Sequence, residues 1–138
     1  MSMSTPETPS ANTSANGQDD PKQLFGLRLA HVGINAASDE EAEAIAERFQ
    51  TLMGLKRNVV APISVFSDTA VEIMKGCGRG EHGHIGFHVD DIPAAEKWFE
   101  ARGFTIDNDS RALNPDGSTH LVYFKEPIGG FAIHITED

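Results

Sequence analysis

HVGIN at His31–Asn35 and HIGFH at His84–His88 share one pattern, His-apolar-Gly-apolar, and each runs into an amphipathic helix. The first helix opens at Ser38 with Glu41 three residues on, a capping box. Ala42, Ile45, Ala46, Phe49, Leu52 and Met53 then recur at helical spacing, and Gly54 supplies the stop. The second opens around Asp90-Asp91 with Pro93 in its first turn, carries Ile92, Ala95, Trp98 and Phe99 as its apolar stripe, and ends at Gly103. Each helix is followed by Gly plus an apolar residue, and each half closes on an alternating strand, AVEIM ending at Met74 and FAIHI ending at Ile135. The order is strand, helix, three strands, twice over. Two copies in one chain predict a pseudo-twofold α+β fold whose homologous strands face each other across a cleft.

The remaining strands are expected at 27–35, 56–60, 63–66, 70–75, 83–89, 104–107 with a possible extension to 112, 119–125 and 130–136. Turn chemistry separates them at Ser67-Asp68, Asn114 to Gly117 and Pro127 to Gly130. Residues 1–22 are rich in Ser, Thr, Pro, Asn and Gly and nearly free of apolar side chains. They cannot bury enough surface to offset their ordering entropy and are expected to be a disordered tail. Residues 23–138 then form one domain, with modules at about 27–76 and 82–138.

At 138 residues and 39% hydrophobic content the chain can build one core. A formal charge of -10 argues against nucleic acid or an anionic membrane as partner, since both need basic patches. No apolar run is long enough to cross a bilayer. The lone Cys77 rules out an intrachain disulfide, and no signal peptide is visible, so a cytoplasmic location is expected.

Strand side chains alternate between faces. In the strand at 84–89, Ile85, Phe87 and Val89 form the apolar face, leaving His84, Gly86 and His88 opposite. The same rule sets His31 against Ala30, Val32 and Ile34, Glu72 against Val71 and Ile73, and His134 against Phe131, Ile133 and Ile135. All four lie on the face that carries no helix. Three imidazoles and a carboxylate suit a borderline divalent ion such as Zn, Ni, Co, Fe or Mn, with coordination positions left open for a substrate. His31, Glu72, His84 and His134 are therefore the candidate metal ligands. Asn35, Lys75, His88 and His120 are candidate substrate contacts, His120 being equally readable as a strand-edge residue.

From Leu27 to Glu137 the chain resembles the vicinal oxygen chelate family, which includes glyoxalases, bleomycin-resistance proteins and extradiol dioxygenases. The motifs that carry the resemblance are HVGIN, VEIM, GHIGFHVDDIPAAEKWFEARGF and YFKEPIGGFAIHI. It implies two βαβββ modules forming a curved mixed sheet around a metal-binding cleft, closed within one chain or across a homodimer. It also implies a metal-dependent enzyme, glyoxalase-like, of isomerase or lyase type. The metal would act as a Lewis acid on a small substrate with adjacent oxygens. An extradiol-type dioxygenase and a non-catalytic small-molecule binding or resistance protein are the alternatives. One departure bears on the activity. Glyoxalase I-like members normally have Glu as the final-strand ligand, where it also moves a substrate proton. Here that residue is His134, and the general base is unassigned.

Overall fold

The computed structural model of the protein describes residues 19–76 and 78–138. A short helix α1 (Pro21–Phe25) precedes β1 (Arg28–Asn35), α2 (Asp39–Met53), β2 (Arg57–Asn58), β3 (Ser64–Ser67) and β4 (Val71–Met74). The order then repeats as β5 (Gly83–His88), α3 (Ile92–Glu100), β6 (Ile106–Leu113), β7 (Thr119–Phe124) and β8 (Phe131–Thr136).

All eight strands join one curved, mixed sheet in the order β2-β3-β4-β1-β5-β8-β7-β6. In each module the first strand lies parallel to the last, β1 beside β4 and β5 beside β8. The modules meet where β1 pairs antiparallel with β5. Exchanging β1 with β5, β4 with β8, β3 with β7 and β2 with β6 leaves the order unchanged. The sequence repeat is thus a pseudo-twofold, and the cleft closes inside one chain.

The helices form where their caps place them. Ser38 accepts the Glu41 N–H at 3.1 Å, and the Glu41 carboxylate reaches back to the Ala37 N–H. Asp91 caps α3 by accepting from the Ala94 N–H at 3.0 Å. Each helix covers the apolar face of its own module. Ala42 and Ala46 of α2 bury against Val65 and Ile73. Ile92 and Ala95 of α3 bury with Val122, Ile133 and Ile135. The opposite face of the sheet is left free for the cleft.

Three expectations change. The strand expected at 56–60 shrinks to Arg57–Asn58, because Val59 and Val60 find no sheet partner and stand 50% and 69% exposed. Their β-branched side chains suit a strand, but the chain turns away there. The sixth strand starts at Ile106, not Phe104, because the Phe104 N–H bonds the Phe99 carbonyl at the end of α3. Most of the expected tail, residues 1–18, lies outside the described residues, as does Cys77. At the end of that stretch, Asp20 caps α1 and Pro21 fills its first position. Phe25 then docks into the core of the second module, edge-on to Trp98.

Candidate metal centre

Register brings the four expected ligands together. Across β4, β1 and β5, Gly33 sits between Glu72 and His84. Across β1, β5 and β8, Gly86 sits between His31 and His134. The two arrangements are twofold copies, with Glu72 and His134 in equivalent places. A Cβ at Gly33 would fall inside the His84 ring, and one at Gly86 would meet the rings of both His134 and His31. The glycines of the two His-X-Gly motifs are thus the seats of the imidazoles.

The three imidazoles each offer a nitrogen within 4.8 Å of the others, and all three residues are buried. His31 Nε2 lies 3.2 Å from Nε2 of both His84 and His134, and 3.4 Å from Glu72 Oε1. Glu72 Oε1 also lies 3.1 Å from His84 Nε2. The other carboxylate oxygen, Oε2, accepts from the Ser64 hydroxyl at 2.7 Å.

Burial pushes His134 down to about 3, helped by the neighbouring His31 and His84. Burial also lowers His31, against the pull of Glu72. Burial tends to raise Glu72, but hydrogen bonds with His84 and Ser64 outweigh it and hold the carboxyl below its ordinary range. His31 and His134 therefore present lone pairs and Glu72 a negative charge. A ring nitrogen carries at most one proton, so His31 Nε2 cannot serve two nitrogens and an oxygen at once. A divalent cation among these atoms satisfies all of them, so the donor set fits a metal.

Two aromatic rings flank the cluster, again in equivalent positions. Phe66 pairs with Glu72 across β3 and β4 and stands edge-on to His31 at 5.7 Å. Tyr123 pairs with His134 across β7 and β8 and lies 4.8 Å from its ring and 6.2 Å from that of His84. The Arg79 guanidinium lies over the Tyr123 ring at 4.6 Å. Burial first, then Glu72, raises the Tyr123 phenol to about 12 against the opposing pull of Arg79. Two cavities open on either side. One of about 320 Å³ is lined by His31 and Phe66 together with Arg28, Asn58, Val60 and Asp68. The other, about 310 Å³, is lined by Tyr123, Arg79, Asp107 and Lys125.

None of the four expected substrate contacts makes a hydrogen bond or ring contact to this cluster. The Asn35 amide accepts from the Gly78 N–H and donates to the Gly80 carbonyl, both at 3.1 Å, which pins the glycine-rich loop. Lys75 lines a separate hollow with Asp39, Pro62 and Ile63. His88 is held by Asp90 at 2.7 Å and by the carbonyls of Glu137 and Asp138. His120 lies 3.3 Å from carboxylate oxygens of Glu137 and Asp138. Sequence reasoning passed over Ser64, Phe66 and Tyr123. The alternation rule finds all three once applied to their strands, since Val65, Val122 and Phe124 face the core.

The architecture is shared with solved structures. A hypothetical protein, BH1468 from Bacillus halodurans C-125, superposes with a TM-score of 0.56 at 15% identity, over 81% of this chain and 94% of that one. Methylmalonyl-CoA epimerase of Streptomyces coelicolor, solved with 2-nitronate-propionyl-CoA, gives 0.54 at 16% identity over 78% and 92%. Homoprotocatechuate 2,3-dioxygenase from Brevibacterium fuscum gives 0.53 at 14% identity, over 79% of this chain and 32% of the dioxygenase. No protein-family model and no curated protein matches the sequence. The chain has the vicinal oxygen chelate fold, in a form with three imidazoles and a carboxylate gathered on the cleft face. Among the described residues, no helix is long and apolar enough to cross a membrane.

Proposed function

We propose that this protein is a metal-dependent enzyme that acts on a small substrate with two adjacent oxygens, by isomerase or lyase chemistry. The observation that carries the reading is the meeting of His31, His84 and His134 nitrogens with Glu72 Oε1 beside an open cavity. These four residues would hold the ion. When bound, the ion supplies Lewis-acid stabilisation of negative charge developing on a substrate oxygen.

The chain's own groups do the rest. Phe66 and Val60 give the cavity beside His31 an apolar wall that excludes water from part of the substrate. Tyr123 keeps its phenolic proton at neutral pH and is available as a donor. His134 in the final ligand strand cannot serve as the proton shuttle. That task falls to Asp68 or Asp138, the carboxylates lining the cavity beside His31. Among the described residues, the same cavity has Arg28 as its only cation against those two carboxylates, which disfavours a polyphosphate handle such as that of a CoA ester. A homodimer belongs to the same proposal. Because all four ligands come from one chain, dilution to the monomer is expected to leave metal binding intact.

Elemental analysis of the purified protein tests the reading. About one divalent transition ion per chain is expected, removable by chelator and restored by Zn, Ni, Co, Fe or Mn. A chain that neither retains nor takes up such an ion rules the proposal out.

A second reading has its own support. Glu72 Oε1 lies within 3.4 Å of His84 and His31, while the short nitrogen approach of His134 is to His31. Two histidines and one carboxylate form the set that suits a non-haem Fe(II) oxygenase. Oxygen uptake by the Fe(II)-loaded protein in the presence of a catechol distinguishes that reading from the first.

A further inference from the structure

We propose that Ser64 is a positioning residue for the metal centre, holding one oxygen of Glu72 so that the carboxylate presents only the other. The inference rests on the metal-site reading above and extends it to a residue that supplies no ligand.

Three observations carry it. The Ser64 hydroxyl donates to Glu72 Oε2 at 2.7 Å, while Oε1 alone faces His84 and His31. Ser64 is completely buried in β3, which shields the donor side of that bond from water. The third observation is the pseudo-twofold. Ser64 lies opposite Met74, two residues beyond Glu72. The equivalent place in the second module, opposite Thr136 and two residues beyond His134, is occupied by Leu121. The hydroxyl is present only in the module whose ligand is a carboxylate. An ionised carboxylate carries its charge on both oxygens, so the one turned away from the cluster needs a donor; the neutral His134 ring has no oxygen for a hydroxyl at that place to serve, and leucine stands there instead.

Without the hydroxyl, Oε2 loses its partner and the carboxylate is free to rotate and offer both oxygens to an ion. Groups that orient a ligand in this way typically alter metal affinity by about 10- to 100-fold. Ser64→Ala removes one oxygen atom and adds no volume, so the core around it is retained.

The experiment is Co²⁺ titration of the full chain, followed by its visible absorption, for the native protein, Ser64→Ala, Glu72→Gln and the double variant. Circular dichroism and thermal melting accompany each as a check on folding. Ser64→Ala is expected to bind Co²⁺ about 10-fold more weakly, with a changed band position and intensity. In the Glu72→Gln background the same substitution is expected to change affinity less than about twofold, because the group it acts through is altered. Unchanged Co²⁺ affinity and spectrum in Ser64→Ala overturns the inference while leaving the metal reading intact. An equal loss with and without Glu72 also overturns it, since Ser64 then acts only on the general fold. Failure of the native chain to bind Co²⁺ sinks the metal reading and this inference together.

Discussion

The two modules share strand order, register and a His-X-Gly seat, yet they support their final-strand ligands differently. In the first, Glu72 is ionised and held by the Ser64 hydroxyl, with Phe66 beside it. In the second, His134 is 1% exposed and pairs with Tyr123, with Leu121 opposite Thr136, and its Nδ1 has no partner among the described residues. A charged ligand needs a hydrogen-bonding neighbour to be tolerated in the interior. A neutral ring packed against Gly86 and Tyr123 carries only the smaller cost of one unpaired Nδ1. The duplication supplies equivalent positions; the residue on the adjoining strand decides which ligand each position can hold.

The strongest way to break that comparison is to make the modules alike. His134→Glu puts a second carboxylate beside Glu72 with no hydroxyl to receive it. The metal-free protein is expected to lose about 3 kcal/mol of stability, as an unpaired buried charge does, and to regain most of it when a divalent ion is added. Urea unfolding with and without chelator measures both numbers. Adding Leu121→Ser to His134→Glu reproduces the first module's arrangement. It is expected to recover about 1 kcal/mol in the metal-free protein. If Leu121→Ser leaves His134→Glu unchanged, the adjoining strand does not set ligand identity.

A smaller effect separates the two seats. The atoms nearest an alanine at Gly86 belong to the rings of both His134 and His31, whereas those nearest one at Gly33 all belong to His84. Both substitutions overfill a packed site and are expected to cost about 1–3 kcal/mol, with Gly86→Ala the more damaging. Metal affinity should fall in the same order, because the nearest atoms at Gly86 belong to two ligands and those at Gly33 to one. Equal losses in stability and affinity would show that the rings can move aside and that the seats are looser than their contacts imply.

Much of this was legible in the sequence, for a physical reason. Alternation along a strand is strict, so parity alone put His31, Glu72, His84 and His134 on one face, and the internal repeat paired β1 with β5 in their neighbourhood. Capping residues announced both long helices. What alternation cannot supply is which residues on that face meet. His88 shares parity with His84 but lies four residues along β5, where Asp90 and the backbone of Glu137 and Asp138 engage it. Asn35 lies four residues from His31, where its amide is engaged by the backbone of the 78–80 loop. Ser64 and Tyr123 went unnoticed because neither is an obvious ligand type, and their roles depend on cross-strand register. The strand expected at 56–60 was misread because valine's strand preference says nothing about whether a partner strand exists.

The finest contrast between the modules is a single oxygen, the phenol that distinguishes Tyr123 from its counterpart Phe66. Tyr123 is the only tyrosine in the chain, so ultraviolet absorbance of tyrosinate reports on it alone. Burial and the charge of Glu72 disfavour the phenolate, so half-ionisation is expected at about pH 12, well above the ordinary 10.0. Arg79 works the other way by favouring the phenolate. Arg79→Gln should therefore move the titration slightly higher, and Glu72→Gln should move it lower. A Tyr123 that ionises near pH 10 in the native protein and in both variants would place the ring in solvent, removing it from the wall of the metal centre and ending its equivalence to Phe66.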